Sequence, residues 1–433
     1  MKGERMGNFR RNQRGQNRIL FTKKSFKKVM IFFFMLIILT GIILGIRVII
    51  TRFSVKKQEK ERMLTQSEIF NQTVKNAETT EEEKISKVTV RLTAIGDILC
   101  PSSLSEDAHD IASGEYDFYG KMKAIETYTR KSEAVLTTLG TNVQIGIDTQ
   151  KKGNIVPEKL VVDMKKVGIN FVNTATPNSY IQGAPGVVNT KAALEKNEIT
   201  VVGTKLQQDK KDYIIKNIRN IPFAFLAYTE GLENTKNIEE ASEYINIAEE
   251  EKIRNDIKAA KEEGAEFIVV NMYWEKGKDT SVTSKQQKWV DMLIDAGANV
   301  ILGNNSSGIQ KMEMKENSEG EPVLVVYSLG SFLSQNEIVM NKKKRGTIDP
   351  NVELLVQFDV EKEIASGKVS LVKVTYTPLY LVDNGEKEKE RYELFDIKET
   401  LKKAEKQEEK IDEKLQNQFK KALRQLEELI KTE

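Results

Sequence analysis

The chain has one cysteine, Cys100, so it holds no internal disulfide framework, a usage ordinary for a bacterial surface protein. It has one histidine, His109, which leaves almost none of the side chain that most often binds transition metals or acts as a base near neutral pH. There is no internal repeat, and no small-x-small cleavage site follows the one long apolar run. What is present is the material of a large core: 39% hydrophobic residues, with 17 Phe and 12 Tyr among 433 residues.

Residues 1–28 carry ten Lys/Arg against Glu4 alone and read as a basic cytoplasmic tail. Val29–Ile46 then runs eighteen residues without a charge, and with Val48–Ile50 beyond Arg47 it is long enough to span a bilayer. We expect a single-pass anchor over 29–50, an amino terminus kept cytoplasmic by the positive-inside rule, a polar stalk over 51–86, and the remainder outside a bacterial cell. Residues 1–52 hold twelve bases and one acid, a net of +11, so the other 381 residues must sum to −8 within a whole-chain charge of +3. The basic tail thus suits topology and anionic lipid, and no nucleic-acid partner is expected.

From Val88 on, short apolar runs alternate with amphipathic helical stretches, the pattern of an α/β domain over 87–382. Strands are expected at Val88–Ile95, Ala134–Leu139, Phe171–Thr174, Thr200–Val202, Phe223–Tyr228, Phe267–Met272, Val300–Leu302, Pro322–Tyr327 and over 352–360 and 367–382. Helices are expected at Glu158–Val167, Thr190–Lys196, Ala248–Glu263 and Ser284–Ala296, the last stopped by Gly297. Residues 383–433 read as a charged linker and one long helix from Ile397 to Lys431, whose apolar stripe would pack on its own domain or mediate self-association.

The first strand ends in Ile95-Gly96-Asp97, which sets a carboxylate at the carboxyl end of a strand, where open α/β sheets bind ligands. The same aspartate could equally cap or shape a turn. Downstream come Tyr116-Asp117-Phe118, the run Val167-Gly168-Ile169-Asn170-Phe171-Val172-Asn173-Thr174-Ala175 with Gly203-Thr204 after it, Ile268–Trp274, Leu293–Gly303, and Tyr327-Ser328-Leu329-Gly330-Ser331-Phe332. In this order the segments resemble the CapA family of poly-γ-glutamate capsule synthesis proteins. The resemblance implies a calcineurin-like metallophosphoesterase-type sandwich of mixed sheets flanked by helices, and a metal site.

The polar positions depart from that family's pattern. Thr176-Pro177-Asn178 stands where Asn-Asn-His is usual, Tyr273-Trp274-Glu275 where His-Trp-Gly is usual, and Asn305-Ser306-Ser307 where His-x-His is usual. Thr138-Leu139-Gly140 replaces an Asn-Leu-Glu-like segment, so of the implied metal ligands only Asp97 survives. A two-metal site needs several anionic or imidazole ligands, whereas neutral oxygens suit at best a weakly held divalent cation. The expectation is therefore a vestigial pocket of Asp97, Asn178, Tyr273, Trp274, Asn305, Ser307 and Ser331, with no catalytic residue and no cofactor.

Three readings follow for function. The first is a non-catalytic, membrane-anchored scaffold or binding component in capsule or envelope-polymer synthesis, working beside a membrane complex. The second is a hydrolase with a remodelled site around Asp97, and the third a sensor or adhesion protein acting through its carboxyl-terminal helix. Lys342-Lys343-Lys344-Arg345 is the segment best suited to meet an anionic polymer.

Overall fold

The computed structural model describes residues 86–144, 155–206, 208–233, 235, 237–275, 281–304, 308–333, 348–385 and 391–431. The expected tail, the span over 29–50, nearly all of the stalk, and the Lys342–Arg345 patch lie outside the described residues. Among the described residues no helix is long and apolar enough to cross a membrane.

Fourteen strands in chain order build two sheets. They are β1 (Lys87–Ile98), β2 (Ala134–Leu139), β3 (Phe171–Asn173), β4 (Thr200–Val202), β5 (Tyr213–Ile218), β6 (Ile221–Thr229), β7 (Phe267–Tyr273), β8 (Val300–Asn304), β9 (Met312–Glu316), β10 (Pro322–Val326), β11 (Ser331–Phe332), β12 (Val352–Glu363), β13 (Val369–Asp383) and β14 (Tyr392–Asp396). The first sheet runs β14-β13-β12-β1-β2-β3-β4, with β11 continuing beside β1 where β12 leaves off. The second runs β9-β10-β8-β7-β6-β5. β1 to β4 are mutually parallel, as are β6, β7, β8 and β10, while β12, β13 and β14 on one side of the first sheet and β5 and β9 at the two ends of the second run antiparallel to their neighbours.

The parallel strands are apolar on both faces because both are covered. Val90, Leu92, Ala94, Ala134 and Leu136 of the first sheet share one core with Phe223, Phe225, Phe267, Val269 and Leu302 of the second. The alternate residues of the first sheet, Val135 and Val172 among them, meet α1 (Ser102–Ala108), α2 (Glu158–Lys166) and α3 (Gly183–Lys196). Those of the second, such as Ile268 and Val270, meet α4 (Glu250–Glu262) and α5 (Ser284–Ala296). The result is the expected sandwich of two mixed sheets flanked by helices. A Thr283/Gln286 capping box opens α5, and Gly297 at φ 103° closes it.

The carboxyl-terminal region differs from the expectation. Tyr392–Asp396 is an edge strand in what reads as a linker; its apolar Tyr392 and Leu394 are buried, and Asp107 accepts from the backbone N–H of Arg391 at 3.1 Å and of Tyr392 at 3.3 Å. The long helix is two, α6 (Ile397–Glu405) and α7 (Glu413–Lys431). Gln407 takes a left-handed φ of 60°, and Asp412 accepts from Leu415 N–H at 2.7 Å, so a fresh amino-terminal cap replaces helix where the stripe has no apolar residue to bury. Phe419, Ala422 and Leu426 of α7 are buried in the inter-sheet core, facing their own domain.

Candidate functional site

Asp97 owes its position to a bulge. Ala94 pairs with Leu136 but Asp97 with Thr138, so β1 carries one extra residue at Ile95-Gly96, which re-aims the side chain that follows. Gly96 is required by close approach: a Cβ there would sit 2.4 Å from Gly330 O. The Ser328–Phe332 segment stitches the sheets at this point, Leu329 N–H donating to Gly303 O at 3.0 Å and Gly330 O accepting from Asp97 N–H at 3.1 Å.

Two polar rows cross the carboxyl ends of the parallel strands. In the first sheet the register aligns Ser331, Asp97, Thr138 and Asn173; in the second it aligns Thr229, Tyr273 and Asn304. The rows meet. Tyr273 Oη donates to Asp97 Oδ2 at 2.8 Å, and Thr138 Oγ1 donates to Asn304 Oδ1 at 3.4 Å. Asn173 Nδ2 reaches Thr138 Oγ1 at 3.2 Å, Asn173 Oδ1 accepts from Ala175 N–H at 2.8 Å, and Asn304 Nδ2 donates to Gly330 O at 3.4 Å. Ser331 also bonds the Asp97 carboxylate.

Burial dominates the electrostatics. Asp97 is 3% exposed and its pKa is pushed up to about 6, because desolvation outweighs the stabilising bonds from Tyr273 and Ser331. Burial and the facing Asp97 carboxylate hold the Tyr273 phenol well above its ordinary range. Behind β11 lies a second acid, Glu353 of β12, also 3% exposed, whose Oε1 accepts from Leu333 N–H at 2.9 Å while Oε2 has no partner among the described residues. Burial first, then the Asp97 charge, lifts its pKa to about 8.

The structure brings Asp97, Tyr273 and Ser331 together. Trp274 points the other way, into the core beneath α4 and α5, and its Nε1 donates to Tyr327 O at 2.6 Å. Asn178 is half-buried in the loop after β3, and Asn305 and Ser307 lie outside the described residues. Glu275 is exposed and ion-paired with Lys285 at 2.7 Å, and His109 packs on Tyr116 with ring centroids 4.6 Å apart. Thr138, Asn173, Asn304 and Glu353 complete the site without having been singled out as its members.

These residues do not fit a two-metal centre. Among the described residues no group of three or more His, Cys, Asp or Glu is arranged to hold a metal ion. The groups that bond Asp97 and cross between the sheets are hydroxyls, a phenol and amides engaged with one another, and the one acid behind them, Glu353, faces Asp97 without an intervening cation among the described residues.

Residues 91–336 match the model of a family described as bacterial capsule synthesis protein PGA_cap. The chain belongs to this capsule synthesis family. Curated relatives include the capsule biosynthesis protein CapA of Bacillus anthracis, 25% identical over 181 residues that make up 41% of this chain and 43% of that protein. The PGA biosynthesis protein CapA of Bacillus subtilis (strain 168) is 23% identical over 179 residues, 39% of this chain and 44% of that one. The chain thus spans less than half the length of the curated relatives it matches. Among solved structures, Haemophilus influenzae NAD nucleotidase aligns with a TM-score of 0.42 at 13% identity, covering 79% of this chain and 63% of that one. A calcineurin-like phosphoesterase of Bacillus subtilis gives 0.41 at 12%, covering 67% and 90%.

Proposed function

We propose that this CapA-family protein is a non-catalytic, membrane-anchored component of capsule or envelope-polymer synthesis, serving as a scaffold or binding module on the outer side of a bacterial membrane. The observation that carries the reading is the closure of the strand ends on themselves. Asp97 is bound by Tyr273 and Ser331, and Thr138 is bound to Asn304, so the two sheets are clasped by direct side-chain hydrogen bonds where a hydrolase would hold ions and water. Two metal cations would have to break that clasp, with no more than the buried carboxylates of Asp97 and Glu353 among the described residues to offset their charge. The anchor rests on the apolar run over 29–50 and the basic residues before it.

The test is elemental analysis of the purified full chain together with phosphomonoesterase and phosphodiesterase assays in Mn²⁺, Zn²⁺ and Mg²⁺. We expect metal well below one equivalent and no turnover above background. Stoichiometric, tightly held metal with turnover abolished by Asp97→Ala would overturn the reading in favour of a remodelled hydrolase.

A further inference from the structure

We propose that the free edge of the second sheet, strand β5, is a docking site for an extended acidic peptide, which adds to the sheet as a further strand. This goes beyond the reading above and does not depend on the chemistry at Asp97.

The backbone supplies the first argument. β5 ends its sheet, pairing only with β6 through a two-residue turn in which Arg219 and Asn220 take φ of 49° and 65°. Such a turn makes Ile218 and Ile221 a hydrogen-bonded pair, and alternation then bonds Lys216 and Ile214 to β6. Pro222, opposite Asn217, confirms the parity, because a residue without an N–H fits only a non-bonded position. Ile215 and Asn217 therefore turn their N–H and C=O groups away from the sheet, and among the described residues no backbone group meets them. An extended chain satisfies such a row directly.

Charge selects the occupant. At the start of the strand is a cleft of about 400 Å³ lined by Lys205, Lys210, Asp212 and Asn246. Its acids are already committed, Asp212 to Lys205 at 2.8 Å, and Asp209 and Glu195 to Lys191 at 3.1 and 3.4 Å. Lys211 and Arg219 are likewise paired, with Glu263 and Glu133. Lys210 and Lys216 are exposed and have no acidic partner among the described residues, so the edge presents unneutralised positive charge on a domain whose sequence beyond residue 52 is net acidic. A second copy fits poorly: antiparallel pairing about Ile215 would set Lys211 against the other Arg219 and bring the two Lys216 side chains close together. Edge lysines of this kind discourage self-pairing, and an acidic strand removes the repulsion.

The test is fluorescence anisotropy of the full chain with fluorescein-labelled Thr-Glu-Val-Glu-Val-Glu-Thr. We expect saturable binding, weakened at least about tenfold by N-methylation of alternate peptide amides, by Lys210→Glu with Lys216→Glu, and by raising salt from about 50 to 500 mM. Ile215→Pro should abolish binding while preserving the circular dichroism spectrum, since the N–H it removes faces outward and Ile215 is only partly buried against the core; if it unfolds the domain, the lysine variant and the methylated peptide still decide. No binding at 1 mM peptide, equal binding of the N-methylated peptide or of a Lys-for-Glu peptide, or an edge-dependent dimer in place of peptide binding overturns the proposal.

Discussion

Glu353→Gln should stabilise the protein at alkaline pH and leave it nearly unchanged at pH 5. The native carboxyl is buried with its Oε2 unpartnered among the described residues, and its pKa rises from 4.5 to about 8. One decade in proton affinity is worth about 1.4 kcal/mol, so keeping the side chain ionised in the fold costs on the order of 5 kcal/mol once the pH exceeds the folded value. The sign follows from proton uptake: between 4.5 and about 8 the folded state holds a proton that the unfolded state has released, so stability is full below the lower value and is lost as pH rises through the upper. The substituted amide imitates the neutral acid, keeps an acceptor for Leu333 N–H, and cannot ionise.

The assay is urea unfolding of wild type and variant at pH 5, 6.5, 8 and 9. Asp97 confounds only the acid limb, because its own window runs from 3.8 to about 6 with the same sign. Between pH 6.5 and 9 the wild type should lose about 2 kcal/mol that the variant retains, so the two curves diverge as the pH rises. Parallel curves from pH 6.5 to 9 would refute the reasoning, since they would mean that Glu353 is hydrated or paired in solution.

Asp107→Ala should cost about 3–5 kcal/mol in chemical denaturation, because it leaves Lys121, its partner at 2.6 Å, as an uncompensated charge with the side chain only 8% exposed. It also frees the backbone N–H groups of Arg391 and Tyr392, so hydrogen exchange should quicken first in β14. Gly303→Ala should destabilise by about 3 kcal/mol, since the added Cβ would lie 2.1 Å from Tyr327 O and 2.2 Å from Trp274 Nε1; an unchanged melting curve would contradict that packing. Phe419→Ala should cost about 3–5 kcal/mol of domain stability without altering the sedimentation coefficient of the folded protein, whereas loss of a dimer at unchanged stability would return α7 to a role in self-association.

How far the sequence carries depends on whether a feature is written in neighbours or in partners. The parallel strands are legible because burial on both faces leaves unbroken apolar runs such as Phe267–Met272, and α5 is legible because its cap and stop are local. β5 is not, since Tyr-Ile-Ile-Lys-Asn-Ile is an edge strand with one charged position and its turn uses Arg219-Asn220 in place of glycine. Glu353 is a site residue only through the long return that lays β12 against β1, which no local pattern encodes.

The pocket itself was more legible than the expected residue set implied. Asp97, Asn173, Tyr273 and Asn304 all occupy the carboxyl ends of parallel strands, where a ligand site or its closure belongs. The period of a strand also forbids Tyr273 and Trp274 from entering one pocket, because successive side chains leave opposite faces. Once Tyr273 is turned inward to Asp97, Trp274 must go outward, and its indole bond to Tyr327 beneath the helices is the consequence. With phenol, amide and hydroxyl groups turned inward, the strand ends bond each other across the sandwich through Tyr273–Asp97 and Thr138–Asn304, so the two sheets close directly upon each other.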